Sequence, residues 1–171
     1  PCNGFTQAIQ DPSFELGPLS WSTVGAPIRT NLFASDGNWS VLLGGYYNAN
    51  DLIGYHFTVP YWTETAALYF DELMISDGPI SYNPYYGILY IQIVDGTTGG
   101  TKLVNSYLDN TQGRYGWAHW RIPIPNAWLY RGHELGITFD GVTSFPSSWF
   151  IDNTRLYLAC GNSVANEDAQ I

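Results

Sequence analysis

Short stretches of alternating apolar and polar residues run along most of this chain. In "ILYIQIVDG", Leu89, Ile91 and Ile93 share one face of an extended segment, while Tyr90 and Gln92 share the other. Such period-two alternation predicts half-buried β-strands. Alternation or length predicts further strands in "TETAALYFDELMIS", "TKLVNSYLD", "WAHWRIPIP", "HELGITFDG" and "SWFIDNTRLYLA".

Helix signals are nearly absent, and glycine-rich or asparagine-rich turns separate the predicted strands. Clear turns occur at "SDGN", "SDGP", "VDGTTGG" and "NTQGRYG", where Gly or Asn can supply a positive φ. About ten strands without a helical crossover predict an all-β fold of two antiparallel sheets packed face to face. We expect one sandwich domain over residues 1–171, with its core at about 11–160 and a polar tail at 161–171.

Composition limits the partners of this domain. The 171 residues carry a formal net charge of −9, and only 12% are charged. That balance argues against nucleic acid and anionic membranes, since both attract clustered Lys and Arg. No apolar run approaches the roughly 20 residues that a membrane-spanning helix needs, so membrane insertion is not expected. The low charge is typical of exported proteins, and we expect an extracellular or cell-surface location.

The two cysteines, Cys2 and Cys160, lie at opposite ends of the chain. The first and last strands of a sandwich are often neighbours, so a disulfide between them is geometrically plausible. It would stabilise the fold by roughly 4–5 kcal/mol in a chain-entropy model. Two free buried thiols are the alternative, and we favour the disulfide because the composition is that of an exported protein.

Several landmarks, taken in order, resemble the jelly-roll carbohydrate-binding modules, a galactose-binding-like class of domain. "DPSFELG" followed by "LSW" is similar to their opening strand, "YHFTVP" to a middle strand and "WFIDNTRLYL" to their closing strand. Tyr55 stands where those modules usually have Gln. Segments similar to "LGGYYNAND" recur in exported jelly-roll domains of bacterial and archaeal surface proteins and secreted peptidases. The resemblance runs from about Asp11 to Leu158, and it implies a jelly roll.

The resemblance also implies a structural calcium ion, shared by the Glu of the first strand and the Asp of the last. The matching residues are Glu15 and Asp152, with Asp11, Asp36 and Asn38 as helpers. Calcium prefers carboxylate and carbonyl oxygens held by loops. In the alternative, these carboxylates accept hydrogen bonds from backbone amides or pair with arginines, namely Arg29 or Arg155.

Aromatic residues make up 16% of the chain and indicate a binding surface. The flat C–H faces of sugars stack on Tyr and Trp, while their hydroxyls bond to amides and charged groups. We expect a polar-aromatic ligand groove, with two tyrosines at its rim. The ligand-binding set is Tyr82, Tyr85, Tyr86, Tyr90, Gln92, His119 and Arg121, and the rim set is Tyr46 and Tyr47. Packing within the fold, or contacts with another protein, are the alternatives for the tyrosines in loops.

Catalytic motifs are missing from the sequence. "GHELG" contains His133 and Glu134 but lacks the second His of a zinc peptidase motif. Asp71 and Glu72 are adjacent on a predicted strand and face opposite ways, unlike the paired carboxylates of a glycosidase.

We therefore predict an exported, non-catalytic module that binds carbohydrate in a targeting or adhesive role, with structural calcium. The alternative is a self-assembling structural subunit of an extracellular filament, tubule or surface layer, with neighbouring protein subunits as partners and a homo-oligomer or polymer as the product.

Overall fold

The computed structural model describes residues 5–76, 87–110 and 116–160. These residues form eleven strands and one short 3-10 helix at Ala127–Tyr130. The strands are β1 (Phe5–Gln7), β2 (Ser22–Val24), β3 (Ile28–Thr30), β4 (Ser40–Gly44), β5 (Ala49–Thr58), β6 (Thr65–Ser76), β7 (Gly87–Asp95), β8 (Thr101–Asp109), β9 (Ala118–Pro123), β10 (Glu134–Thr143) and β11 (Ser147–Ala159).

The strands form two antiparallel sheets, as the sequence predicts. The six-stranded sheet has the order β3-β4-β11-β6-β9, with β1 also pairing with β11. The five-stranded sheet has the order β2-β5-β10-β7-β8. From β4 to β7 the chain passes from one sheet to the other at every connection. The predicted all-β jelly-roll sandwich is confirmed.

The core lies between the sheets and follows the predicted alternation. Leu89, Ile91 and Ile93 of β7 are buried, and they face Trp149 and Phe70 from the other sheet within one hydrophobic cluster. Side chains at even positions of β7 therefore point away from the core. This alternation decides which residues reach the solvent on the five-stranded sheet.

The predicted opening strand around "DPSFELG" is wrong. Residues 11–17 form turns, and the first strand lies earlier, at Phe5–Gln7. The carboxylate of Asp11 accepts the backbone amides of Glu15 at 2.9 Å and Leu16 at 3.3 Å, which holds the segment in a turn. Phe14 has a φ of 56°, so the backbone cannot continue as a strand there. The buried Phe14 side chain is what gives the segment its strand-like appearance in the sequence.

Candidate functional site

The solvent-facing side of the five-stranded sheet carries Tyr90 and Gln92, as predicted from their alternation with the core residues. Across the sheet, Tyr90 lies opposite Tyr107 on β8 and Asp140 on β10. Gln92 lies opposite Asn105 on β8. We call this set of five residues, Tyr90, Gln92, Asn105, Tyr107 and Asp140, the outer face.

Two tyrosines and two amides form neighbouring cross-strand pairs on the outer face. Tyr107 is 62% exposed, and Tyr90 is half-buried beside it. The side-chain nitrogen Nε2 of Gln92 donates to Oδ1 of Asn105 at 2.9 Å. This bond fixes both amides and leaves the Gln92 oxygen and the Asn105 nitrogen directed elsewhere. The outer face therefore offers aromatic rings next to oriented donors and acceptors.

Asp140 adds a carboxylate with unused hydrogen-bonding capacity. Its Oδ1 atom is buried and has no hydrogen-bond partner among the described residues. Burial, together with the nearby Asp51 carboxylate, raises the pKa of Asp140. A buried acceptor without a donor is unfavourable by about 1–3 kcal/mol. Because Oδ1 is closed to solvent, a ligand hydroxyl could bond only to the part of the half-buried Asp140 carboxylate that remains exposed.

His119 and Arg121 do not share a surface with Tyr90 and Gln92. Both lie on β9 of the six-stranded sheet, where they pair with β6. Nδ1 of His119 lies 2.5 Å from Oδ1 of Asp71, and Nε of Arg121 donates to the hydroxyl of Tyr69 at 3.0 Å. The prediction of one groove containing all four residues is wrong, because period-two alternation assigns a face to each strand but not a sheet.

The rim tyrosines are engaged within the fold. The hydroxyl of Tyr46 donates to the buried carboxylate of Asp51 at 2.6 Å, and this bond raises the pKa of Tyr46. The ring of Tyr47 packs edge-on against Phe145 at 5.3 Å between ring centroids. Tyr82, Tyr85 and Tyr86 of the predicted ligand set lie outside the described residues.

The carboxylates of the predicted calcium site accept hydrogen bonds from the protein. Oε1 of Glu15 accepts the amides of Asn38 and Trp39 at 2.8 and 2.7 Å. Oδ2 of Asp152 accepts the amides of Ser35 and Asp36 at 2.7 and 2.9 Å. Arg29, an alternative partner in the sequence, instead donates to the backbone oxygens of Phe14 and Glu15.

Three of the predicted calcium ligands nevertheless line one cavity. Asp11, Glu15 and Asp36 are three of the eight residues that line an open cavity of about 270 Å³. Asp36 also accepts the hydroxyl of Ser13 at 2.6 Å and lies 3.7 Å from the Arg155 guanidinium. No group of three acidic, histidine or cysteine side chains in the described ranges is placed to hold a metal ion. The calcium ion stays a prediction.

Tyr107, Asn105 and Asp140 are absent from the predicted ligand set. Their signal is present in the sequence: Asn105 and Tyr107 alternate with the more buried Val104 and Leu108, and Asp140 lies opposite the core face of β10. What the sequence lacks is the strand order that brings these residues beside Tyr90 and Gln92.

No family model matches the chain, and no curated protein matches it. Solved structures do match in fold. A carbohydrate-binding module, TmCBM61, solved in complex with β-1,4-galactotriose, has 16% identity and a TM-score of 0.68; the match covers 88% of this chain and 97% of that chain. A family 16 carbohydrate-binding module has 16% identity and a TM-score of 0.59, over 87% and 98% of the two chains.

A tailspike protein of bacteriophage CBA120 also matches, through its enzymatically active domain. The identity is 14% and the TM-score 0.60, over 89% of this chain but only 21% of that chain. The match therefore covers one part of a much larger protein. At these identities the comparisons show the fold, a jelly-roll sandwich like that of carbohydrate-binding modules.

No helix in the parts of the chain that the structure describes is long and apolar enough to cross a membrane.

Proposed function

We propose that this protein is an exported, non-catalytic module that binds carbohydrate with the outer face of its five-stranded sheet. The observation that carries the proposal is the juxtaposition of the Tyr90–Tyr107 pair with the hydrogen-bonded amides of Gln92 and Asn105 and the half-buried Asp140. The jelly-roll modules with the same fold support the class of ligand, since TmCBM61 was solved with β-1,4-galactotriose bound.

The chemistry of the outer face suits a sugar chain. Pyranose rings have an apolar face that can stack on the exposed ring of Tyr107. Their hydroxyls can donate to Asp140 and exchange hydrogen bonds with the Gln92–Asn105 pair. Because Gln92 and Asn105 already hold each other in place, less side-chain entropy is lost when a ligand binds.

The test is calorimetric titration with β-1,4-galactotriose and xylohexaose, supported by a glycan array. Tyr107→Ala should weaken binding at least tenfold, about 1.4 kcal/mol, while changing stability by no more than about 0.5 kcal/mol because the side chain is exposed. Leu32→Ala, which removes a similarly exposed side chain elsewhere, is the matched control and should bind as the parent does. Absence of binding to every glycan, or equal binding by Tyr107→Ala, would refute the proposal.

Structural calcium and the Cys2–Cys160 disulfide belong to the same proposal. The ion is proposed from the resemblance at Glu15 and Asp152, together with the position of Asp11, Glu15 and Asp36 along one open cavity. Cys2 lies outside the described residues; support for the bridge comes from the pairing of β1 with β11, in which Phe5 lies opposite Ala159, the residue before Cys160. Disulfides are typical of exported domains.

The alternative role is a self-assembling subunit that contacts its neighbours through strands or loops, and its strand-pairing form has less support. β8 is an edge strand of nine residues, but it carries Lys102 and an irregular register with β7 between Ile93 and Val94. A charged lysine and a bulge are features by which natural edge strands avoid pairing with another chain. Size-exclusion chromatography tests this alternative directly, since it requires ordered polymers.

A further inference from the structure

A second group of exposed aromatic side chains lies at one end of the sandwich, away from the outer face. It comprises Tyr61 and Trp62 in the β5–β6 connection, with Trp128 and Leu129 in the β9–β10 connection; we call it the end patch. Tyr61 is 81% exposed, the largest value for any large apolar side chain in the described residues. Trp128 is 52% and Leu129 50% exposed.

Hydrogen bonds between the two connections hold the end patch together. The amide of Gly132 donates to the carbonyl of Val59 at 2.8 Å, and the amide of Val59 donates to the carbonyl of His133 at 2.9 Å. Nε of Arg131 donates to the carbonyl of Thr63 at 2.6 Å. The two loops therefore form one unit.

The side chains of the end patch are presented by buried anchors. In the 3-10 helix, Ala127 is buried and Tyr130 packs against the core, so Trp128 and Leu129 between them must face the solvent. Tyr61 lies directly over Gly132, where an added Cβ would be 2.8 Å from the tyrosine hydroxyl. Nδ1 of His133 lies 2.8 Å from the buried carboxylate of Asp95, which fixes the start of β10.

The end patch is large enough to hold a short sugar chain. From the exposed fractions and the roughly 150–250 Å² of an aromatic side chain, the patch presents on the order of 400 Å². The polar surroundings, including the Arg131–Glu64 ion pair at 4.0 Å, offer groups that can bond to hydroxyls.

We infer that the end patch is a second carbohydrate-binding surface, on which pyranose rings stack against Tyr61 and Trp128. Along β10, Gln92 and Tyr90 of the outer face lie opposite Thr138 and Asp140, which are four and six residues beyond Glu134 at the start of the strand. Each residue of a strand advances about 3.3 Å. The two surfaces are thus separated by roughly 13–20 Å along the strand, and a long glycan could engage both and gain avidity. This inference does not require the outer face to bind.

Nuclear magnetic resonance can test the two surfaces separately in one titration. The indole N–H signals of Trp62 and Trp128 report on the end patch, and the side-chain amide signals of Gln92 and Asn105 report on the outer face. The probes are β-1,4-galactotriose, xylohexaose and cellohexaose. We expect at least one probe to shift the Trp128 signal saturably, with Tyr61→Ala weakening that response at least tenfold.

Tyr61→Phe is the matched variant, because it keeps the stacking ring and removes only the hydroxyl. It should respond to the probe as the parent does. Tyr61→Leu, which keeps an apolar side chain but has no ring, should lose the response and replaces Tyr61→Ala if that variant fails to fold. Retention of the Trp128 response in a folded Tyr61→Ala protein would overturn the inference.

Each other pattern of shifts also decides between the two surfaces. Shifts only at Gln92 and Asn105 would support the proposed function and overturn the inference. Shifts only at Trp62 and Trp128 would support the inference and overturn the proposed function. No shift at either surface with any probe would reject both. Signals of Trp128 that move on dilution without sugar would show that the end patch binds a second copy of this chain, which also overturns the inference.

Discussion

Asp51→Asn should destabilise this protein markedly, although it replaces only one oxygen by an NH₂ group. The Asp51 carboxylate is fully buried and accepts three hydrogen bonds. Oδ1 accepts the amide of Ala26 at 2.7 Å and the hydroxyl of Tyr46 at 2.6 Å, while Oδ2 accepts the amide of Gly44 at 2.8 Å. The three donors come from the β2–β3 connection, the end of β4 and the β4–β5 turn.

The magnitude follows from what an asparagine can accept. Its single oxygen can replace Oδ1, but its NH₂ group then meets the Gly44 amide, so two donors face each other. Leaving that buried amide without an acceptor costs about 1–3 kcal/mol. The two remaining bonds lose the contribution of the charge, since bonds to charged groups are about twice as strong as neutral ones. Less repulsion with Asp140 offsets part of the loss, and we expect a net destabilisation of about 2–4 kcal/mol.

Urea unfolding at neutral pH measures this change. With an m-value of about 2 kcal/mol per molar urea, the midpoint should fall by about 1–2 M. Tyr46→Phe removes one of the three donors and should cost about 1 kcal/mol. Glu134→Gln, which alters an exposed pair with His56, is the control and should change stability by less than about 0.5 kcal/mol. A cost below about 0.5 kcal/mol for Asp51→Asn would refute the reasoning.

The other predictions concern the two carboxylates with shifted pKa values, the proposed calcium ion and the proposed disulfide. The pKa of Asp140 is raised in the folded protein, so protonated Asp140 favours folding and this contribution is lost as pH rises through the folded pKa. Asp140→Asn should therefore raise the free energy of unfolding at neutral pH. It should have little effect on that free energy well below a pH of about 3.9, where Asp140 is protonated in both states. Burial raises the pKa of Asp95, but hydrogen bonds from His133, Thr98 and Thr97 outweigh it and lower the pKa. The ionised Asp95 carboxylate therefore stabilises the fold above the ordinary Asp pKa, and this stabilisation is lost as pH falls through the folded pKa. Asp95→Asn should lower the free energy of unfolding at neutral pH. It should also make that free energy fall less steeply towards acidic pH, as measured by urea unfolding at a series of pH values. A metal chelator added with a reductant should lower the melting temperature markedly, and an unchanged melting curve would contradict both the calcium ion and the disulfide.

The sandwich could be predicted because burial of one face gives the strands an alternation of apolar and polar residues. β7, β8 and β10 coincide closely with the stretches "ILYIQIVDG", "TKLVNSYLD" and "HELGITFDG". The opening segment could not be predicted in this way. There the deciding interaction is the Asp11 carboxylate with two backbone amides, and the apolar Phe14 is buried from a turn rather than from a strand.

The candidate site could be predicted from the sequence only in part, for a related reason. Alternation places Tyr90, Gln92 and Asp140 on outward faces, which requires only the local chain. Whether two outward faces belong to one surface depends on pairing between strands that are far apart in sequence, as when β10 enters between β5 and β7. The same alternation therefore gave a correct orientation for His119 and the wrong neighbours. The pairing also explains why Asp140 matters: a carboxylate at an exposed edge would be hydrated, whereas between β5 and β7 it keeps an oxygen buried and without a donor among the described residues. Asp140→Asn should thus make the fold more stable and sugar binding weaker, and a loss of both would place its role in the fold instead.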